Sequence, residues 1–328
     1  MKSSLSSAYA IRNVTLRVGL GRVIPRPYDD RCRAMSSTST SHQDQSPLLQ
    51  KLDSNGILTL TLNRPNQRNA LNRDLLHKLN TTLKDAAKSV ESTSPVRVII
   101  LQSHGYVFSS GHDLKELSEF SNLEDRTAVE QLFDLCSDTM QLFQTIPQPT
   151  ICAVEGFATG AGCQLVASCD LVVASSLASF QTPGVTLGLF CHTPAVPLVR
   201  SIGKKLAMDM LLTGRTISAS EALNHGLVSR MAKNAQKEAA KIAMTIATER
   251  SSVVLRMGKE IFHQQAAESD LNDAYKVASP AMAKNMDLYD AKHGIECFLG
   301  KRNPQFQDKY RCRLLAKRKI STTEFDCT

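Results

Sequence analysis

Pro149-Thr-Ile-Cys-Ala-Val-Glu-Gly-Phe-Ala-Thr-Gly-Ala-Gly-Cys-Gln-Leu-Val-Ala-Ser-Cys-Asp170 is the stretch that decides how this chain of 328 residues folds. Thr150–Val154 is a short β-branched and apolar run bounded by Pro149 and Gly156, the form of a buried strand. Gly160 and Gly162 then open the backbone, and the apolar run after them is long enough only for a short helix. Leu171–Ala174 is a further strand. Strand, glycine loop, helix and strand in that order make a βα unit, which requires a parallel sheet.

The same alternation continues outward. Ile57–Leu62 reads as a strand and Leu71–Val90 as an amphipathic helix. Val96–Leu101 is a second strand, and Thr127–Thr145 a long helix. Beyond residue 195 the pattern turns wholly helical, with expected helices over Lys204–Leu212, Ala219–His225, Ala235–Thr248, Ser252–Ala267, Leu271–Lys284 and Leu288–Leu299. Ser218 and Glu221 have the spacing of a capping box, so their side chains are read as structural.

A net charge of +8 suggests a polyanion partner until it is divided along the chain. Residues 1–34 hold seven basic and two acidic residues, and residues 308–328 hold six basic and three acidic, so the body between them is neutral. Bulk charge therefore gives that body no attraction to nucleic acid or to a membrane. No apolar run approaches the roughly 18–20 residues that a membrane span needs. The nine cysteines are odd in number and scattered, with no C-x-x-C spacing, which implies free thiols and no metal site.

Residues 1–34 are rich in arginine and hydroxylated residues, with apolar residues at helical spacing and no acid before Asp29. That is the pattern of a mitochondrial transit peptide. Residues 35–49 are expected to be a flexible leader, 50–195 the strand-rich core and 196–307 a helical region. Residues 308–328 form a basic tail, in which Lys309–Lys319 has some amphipathic character but reads more simply as a solvated segment.

Three loops could carry chemistry: Phe108–Leu117 around Gly111, Val154–Gln164 around Gly160, and Thr182–His192. Glycines at a helix start leave backbone N–H groups facing outward, which suits an anion or a polarised carbonyl oxygen. Taken in order with Arg64-Pro65, Asn69-Ala70-Leu71-Asn72, Leu206–Arg230 and Gly294–Phe306, these loops resemble the crotonase (enoyl-CoA hydratase/isomerase) superfamily from about residue 50 to about residue 307. The resemblance implies an α/β fold, a spiral of ββα turns with a C-terminal helical region that builds trimers, often paired into hexamers. It implies acyl-CoA thioester as ligand or substrate, in mitochondrial fatty-acid metabolism, and neither a metal nor a further cofactor.

By matching motif positions, the resemblance assigns an oxyanion hole to the backbone N–H groups of His112 and Ala161. It assigns the CoA pocket to Arg64, Ala70, Leu71 and Lys115, with Phe298 and Lys301 contributed across a subunit boundary. The two carboxylates that a hydratase uses as general base and acid would stand at Gln164 and Gly184. A glutamine has no useful proton affinity and a glycine offers no group at all, so efficient hydration is not expected.

His192 occupies the place where some relatives carry an acid, and Cys191 stands beside it. Three functions follow. One is an acyl-CoA-binding protein with degenerate catalytic machinery. A second is an isomerase or thioesterase that uses His192 with the oxyanion hole. A third is a structural or RNA-associated protein, against which the neutral body argues.

Overall fold

The computed structural model describes residues 46–308 apart from 93, 94, 123 and 124. The expected transit peptide and nearly all of the basic tail lie outside the described residues. Strand β1 (Leu48–Leu52) begins just before the expected start of the core and pairs antiparallel with β2 (Ile57–Leu62). Helix α1 (Arg73–Lys88) follows, opened by Asn72, whose side chain accepts from Leu75 N. Then come β3 (Val98–Ser103), β4 (Val107–Ser109), α2 (Leu114–Asn122) and α3 (Arg126–Thr145). The decisive stretch forms β5 (Thr150–Val154), β6 (Phe157–Thr159) and α4 (Ala161–Ser168), and β7 (Leu171–Ala174) and β8 (Ser179–Gln181) come next.

Each of the strand pairs β3/β4, β5/β6 and β7/β8 gives one strand to each of two sheets, so the chain climbs in repeating turns. Pairings between successive turns are parallel in both sheets. A core of leucines, valines and phenylalanines fills the space between the sheets and the helices α1, α3 and α4. The large sheet reads as near-continuous apolar sequence because both of its faces are covered.

The C-terminal half corrects the expectation of a wholly helical region. After α5 (His192–Ile202) and α6 (Lys204–Thr213), β9 (Thr216–Ser218) joins the small sheet beside β8. After α7 (Ala219–Asn224), β10 (Arg230–Met231) closes the large sheet beside β7. Strands this short are set by pairing with an existing edge and leave no period in the sequence; the same holds for β4, β6 and β8. Ser218 does cap α7, accepting from Glu221 N at 3.1 Å. The Glu221 carboxylate, however, is taken by Arg215 at 2.7 Å, so only one half of a capping box forms.

Helix α8 (Ala235–Glu249) lays Ala235, Ala239, Ile242, Ala243 and Ala247 on the outer face of the large sheet. Its first N–H groups are met by Glu155, which accepts from Ala235 N at 2.7 Å and Gln236 N at 3.2 Å. This carboxylate is therefore structural, as its strand-end position suggests. The chain ends in α9 (Ser252–Ala267), α10 (Leu271–Asn285) and α11 (Tyr289–Leu299). Buried Asp290 ties this end down by accepting from Ser251 Oγ at 2.6 Å, Gln307 N at 2.8 Å and Asp308 N at 2.9 Å.

Candidate active site

The first two loops meet at their glycines. Gly111 has φ +87°, and a Cβ there would stand 2.9 Å from Thr159 O and 3.1 Å from Ala161 N, so only glycine fits. Gly162 sits against Ser109, whose carbonyl oxygen a Cβ would approach to 2.4 Å. These contacts bring His112 alongside the start of α4. Among the described residues neither His112 N–H nor Ala161 N–H donates to a protein acceptor. Gly160 has no side chain to cap α4, so the positive end of that helix is left open at this point.

A bridge between Leu71 and His112 joins the Asn-Ala-Leu-Asn segment to the same place, with Leu71 N donating to Gly111 O at 2.7 Å and Asp113 N to Leu71 O at 3.1 Å. Arg64 spans the two segments, donating to Ala70 O at 2.5 Å and Asp113 Oδ2 at 3.1 Å. Ala70 and Leu71 are buried, and Lys115 is exposed on the first turn of α2. Glu116 accepts from Arg73 N at 3.0 Å and so fixes α2 to the start of α1. Phe298 and Lys301 lie at the far end of α11, with Phe298 81% exposed and no hydrogen bond from either to these loops among the described residues.

The His112 ring carries more than the sequence discloses. It packs edge-on against Phe133 of α3 at 5.0 Å, and neither ring nitrogen has a hydrogen-bond partner. Burial pushes its pKa down to about 4, outweighing the upward pull of the nearby Leu71 carbonyl. The ring is therefore neutral at physiological pH. As pH falls from about 6.5 towards about 4, the unfolded chain takes up a proton that the folded chain excludes, so stability must fall. Urea unfolding of wild type and His112→Leu over this range checks it: the variant should show the shallower pH dependence, and identical slopes would refute the assignment.

Gln164 lies in α4, all of whose residues are buried; the residue itself is 3% exposed and its Oε1 has no partner. Gly184 stands in the third loop, which follows directly on β8, where Gly160 N donates to Gln181 O at 2.9 Å. The loop turns back on itself, with Leu189 N donating to Gly184 O at 2.9 Å. A Cβ on Gly184 would stand 2.8 Å from Cys191 Sγ and 3.0 Å from Leu189 O. The cysteine sulfur thus fills the space from which a side chain at this position would grow.

Burial raises the Cys191 pKa, against the Gly184 N–H, which favours the thiolate. Gly184→Glu should therefore lower stability by about 1–3 kcal/mol through overpacking. Adding Cys191→Ala should recover part of that loss. Thermal unfolding of the three proteins tests this, and a Gly184→Glu variant as stable as wild type would exclude it.

His192 is not a loop residue, for it begins α5 and is exposed. Its Nδ1 lies 2.9 Å from Phe190 O, and its ring tilts against Phe190 at 4.9 Å. Among the described residues there is no group of three metal-ligating side chains and no helix long and apolar enough to cross a membrane.

Residues 53–309 match the profile of the enoyl-CoA hydratase/isomerase family. The mitochondrial enoyl-CoA hydratase domain-containing protein 3 of Xenopus laevis is 44% identical over 268 residues, covering 81% of this chain and 88% of that protein. The human protein of the same name is 45% identical over 251 residues, 76% of this chain and 80% of its own length. The crystal structure of human enoyl coenzyme A hydratase domain-containing protein 3 superposes with a TM-score of 0.74 at 44% identity, covering 79% of this chain and all of that one. An enoyl-CoA hydratase from Mycobacterium smegmatis superposes with a TM-score of 0.74 at 40% identity, over 79% of this chain and 98% of that one.

Proposed function

This chain belongs to the enoyl-CoA hydratase/isomerase family, and we propose that within it the protein binds an acyl-CoA thioester without hydrating it efficiently. The observation that carries this reading is the pairing of two free donors with a missing carboxylate. His112 N–H and Ala161 N–H stand open where two loops meet, while Cys191 sulfur fills the space beside Gly184. The two N–H groups suit the thioester carbonyl oxygen, and more so the negative charge that an enolate would place on it. Gln164 can orient a ligand or a water through hydrogen bonds but cannot take its proton.

Arg64 serves the pocket by holding the Ala70 carbonyl and Asp113, which fixes the walls formed by Ala70 and Leu71. Lys115 is free to meet the nucleotide end of the ligand as a mobile positive charge. The protein is mitochondrial, as are the relatives that it matches over most of its length. A transit peptide in residues 1–34 is the segment that would deliver it there. A homotrimer or hexamer would cover the exposed Phe262, Tyr275, Met282, Phe298 and Leu299 of α9–α11 and bring Phe298 and Lys301 to a neighbour's nucleotide. Fatty-acid metabolism is the setting that such a ligand implies.

His192 supports a second reading, an isomerase or thioesterase. Its Nδ1 is engaged by Phe190 O, while its Nε2 has no protein hydrogen-bond partner among the described residues and could meet a substrate. The full chain is to be incubated with saturated and 2-enoyl-CoA thioesters in deuterated water, with binding read by calorimetry and products by mass spectrometry. Binding without hydration is the expected result. Hydration well above background sinks the proposal, and turnover lost in His192→Ala replaces it with the second reading.

A further inference from the structure

A cleft of about 360 Å³ opens where β3 and β5 begin. Its polar walls are Arg97, Gln148, Ser252, Arg256 and Asp308. They come from the residue before β3, the connection from α3 to β5, the first turns of α9 and the segment that follows α11. His112 and Ala161, which follow β4 and β6, are not among them.

Two buried polar atoms on these walls lack a partner. Gln148 is 3% exposed, and its Nε2 donates to Ala86 O at 2.7 Å. A carbonyl oxygen only accepts, so the amide nitrogen must face Ala86, and the unpartnered Oε1 is fixed as an acceptor. Arg97 Nη1 donates to the Asp308 carboxylate and Nη2 to Arg250 O at 3.1 Å, while the buried Nε has no partner. Each unmatched group costs stability as it stands. An unmatched donor and an unmatched acceptor on the walls of one cleft call for a small group that both accepts and donates.

The charge of that group follows from Asp308. Its carboxylate pairs with Arg97 and accepts from Ser252 N at 2.7 Å, at the positive end of the 16-residue helix α9. Arg256 brings a second guanidinium to the wall. An anion is therefore already held here, but an ionised carboxylate has no proton to give Gln148.

We propose that the cleft is a binding site for inorganic phosphate, in which the Asp308 carboxylate is an internal anion that phosphate displaces. Phosphate oxygens then accept from Arg97 and from Ser252 N, and the P–OH group donates to Gln148 Oε1. Inorganic phosphate keeps a proton at neutral pH, whereas sulfate has none. A phosphate monoester, with a second pKa of about 6, has lost most of its own. The Gln148 carbonyl thus selects the protonated anion.

Calorimetric titration of the full chain at about pH 7.5, where monoesters are mostly dianionic, tests this with phosphate, sulfate and glycerol phosphate as separate probes. Phosphate should bind about tenfold more tightly than either of the others, the worth of one hydrogen bond to a charged group. Gln148→Leu should erase that preference, and Arg97→Met should abolish binding. Asp308→Asn keeps an acceptor for Ser252 N but removes the competing charge, so phosphate should bind it about tenfold more tightly than wild type. Even if the two buried-site variants do not fold, this one decides the question. No phosphate binding by Asp308→Asn, binding no tighter than that of wild type, or sulfate or glycerol phosphate bound as tightly as phosphate would overturn the proposal.

Discussion

Lys259→Met is expected to cost about 3–5 kcal/mol of folding free energy, the range for removing one partner of a buried ion pair. The Lys259 side chain is 8% exposed, and its ammonium spends all three protons on fixed acceptors. These are Phe143 O at 2.7 Å, Gln148 O at 2.9 Å and Asp170 Oδ2 at 2.7 Å. One side chain on α9 thereby satisfies the last turn of α3, the connection to β5 and the carboxylate before β7. Methionine keeps the stem but leaves two carbonyls without that donor and a carboxylate without its counter-charge.

Burial alone would raise the Asp170 pKa, but His263, Lys259 and Thr150 outweigh it and hold the carboxyl below its usual range. A depressed carboxylate contributes stability above its unfolded value of about 3.9 and loses it as pH falls through the folded value. Urea denaturation at neutral pH should show the full loss in Lys259→Met. Adding Asp170→Asn to it should cost less than the sum of the single changes, because the uncompensated charge is then gone. A single-variant loss below about 1 kcal/mol would show that the pair is solvated and not structural.

Asn69→Ala should be comparably severe, at least about 3 kcal/mol, because two penalties coincide. Asn69 is fully buried with φ +51°, a left-handed conformation that asparagine tolerates better than alanine. Its Oδ1 accepts from Arg64 N at 2.8 Å, and its Nδ2 donates to His104 O at 2.8 Å and Val107 O at 2.7 Å. Its own carbonyl accepts from Ser109 Oγ at 2.8 Å. This one residue fastens the Arg64–Asn72 segment to β4, and β4 leads into Gly111 and His112. Asn69→Gly should relieve the backbone strain while leaving the lost hydrogen bonds, and so fall between alanine and wild type. Melting temperatures of the two variants, with calorimetric titration of an acyl-CoA, provide the check. Equal stability of the glycine and alanine variants would remove the strain argument.

Much of the framework is legible in the sequence because it rests on local period and local chemistry. Thr150–Val154, between Pro149 and Gly156, and Leu171–Ala174 are short apolar strands, and both form as read. Ser252–Ala267 has helical spacing after Ser251, whose side chain caps it. Gly111 and Gly160 announce a turn with positive φ, and both have it. The absence of a carboxylate at Gln164 and Gly184 is likewise a fact of the sequence, as is the resemblance of the loops to the enoyl-CoA hydratase/isomerase family.

What the sequence could not disclose depends on residues brought together from far apart. Strands β9 and β10 exist because β8 and β7 offer open edges, not because two or three residues have a preference of their own. The His112 pKa is low because Phe133, from another helix, helps to exclude water from the ring. Gly184 has no room because the loop carries Cys191 back against it. Lys259 is an ordinary residue of an amphipathic helix until α3 and Asp170 close around its ammonium. Local period and turn chemistry act over a few residues and are written in order along the chain. Desolvation, close approach and the pairing of charges act through space, and only the packed chain fixes which atoms are near.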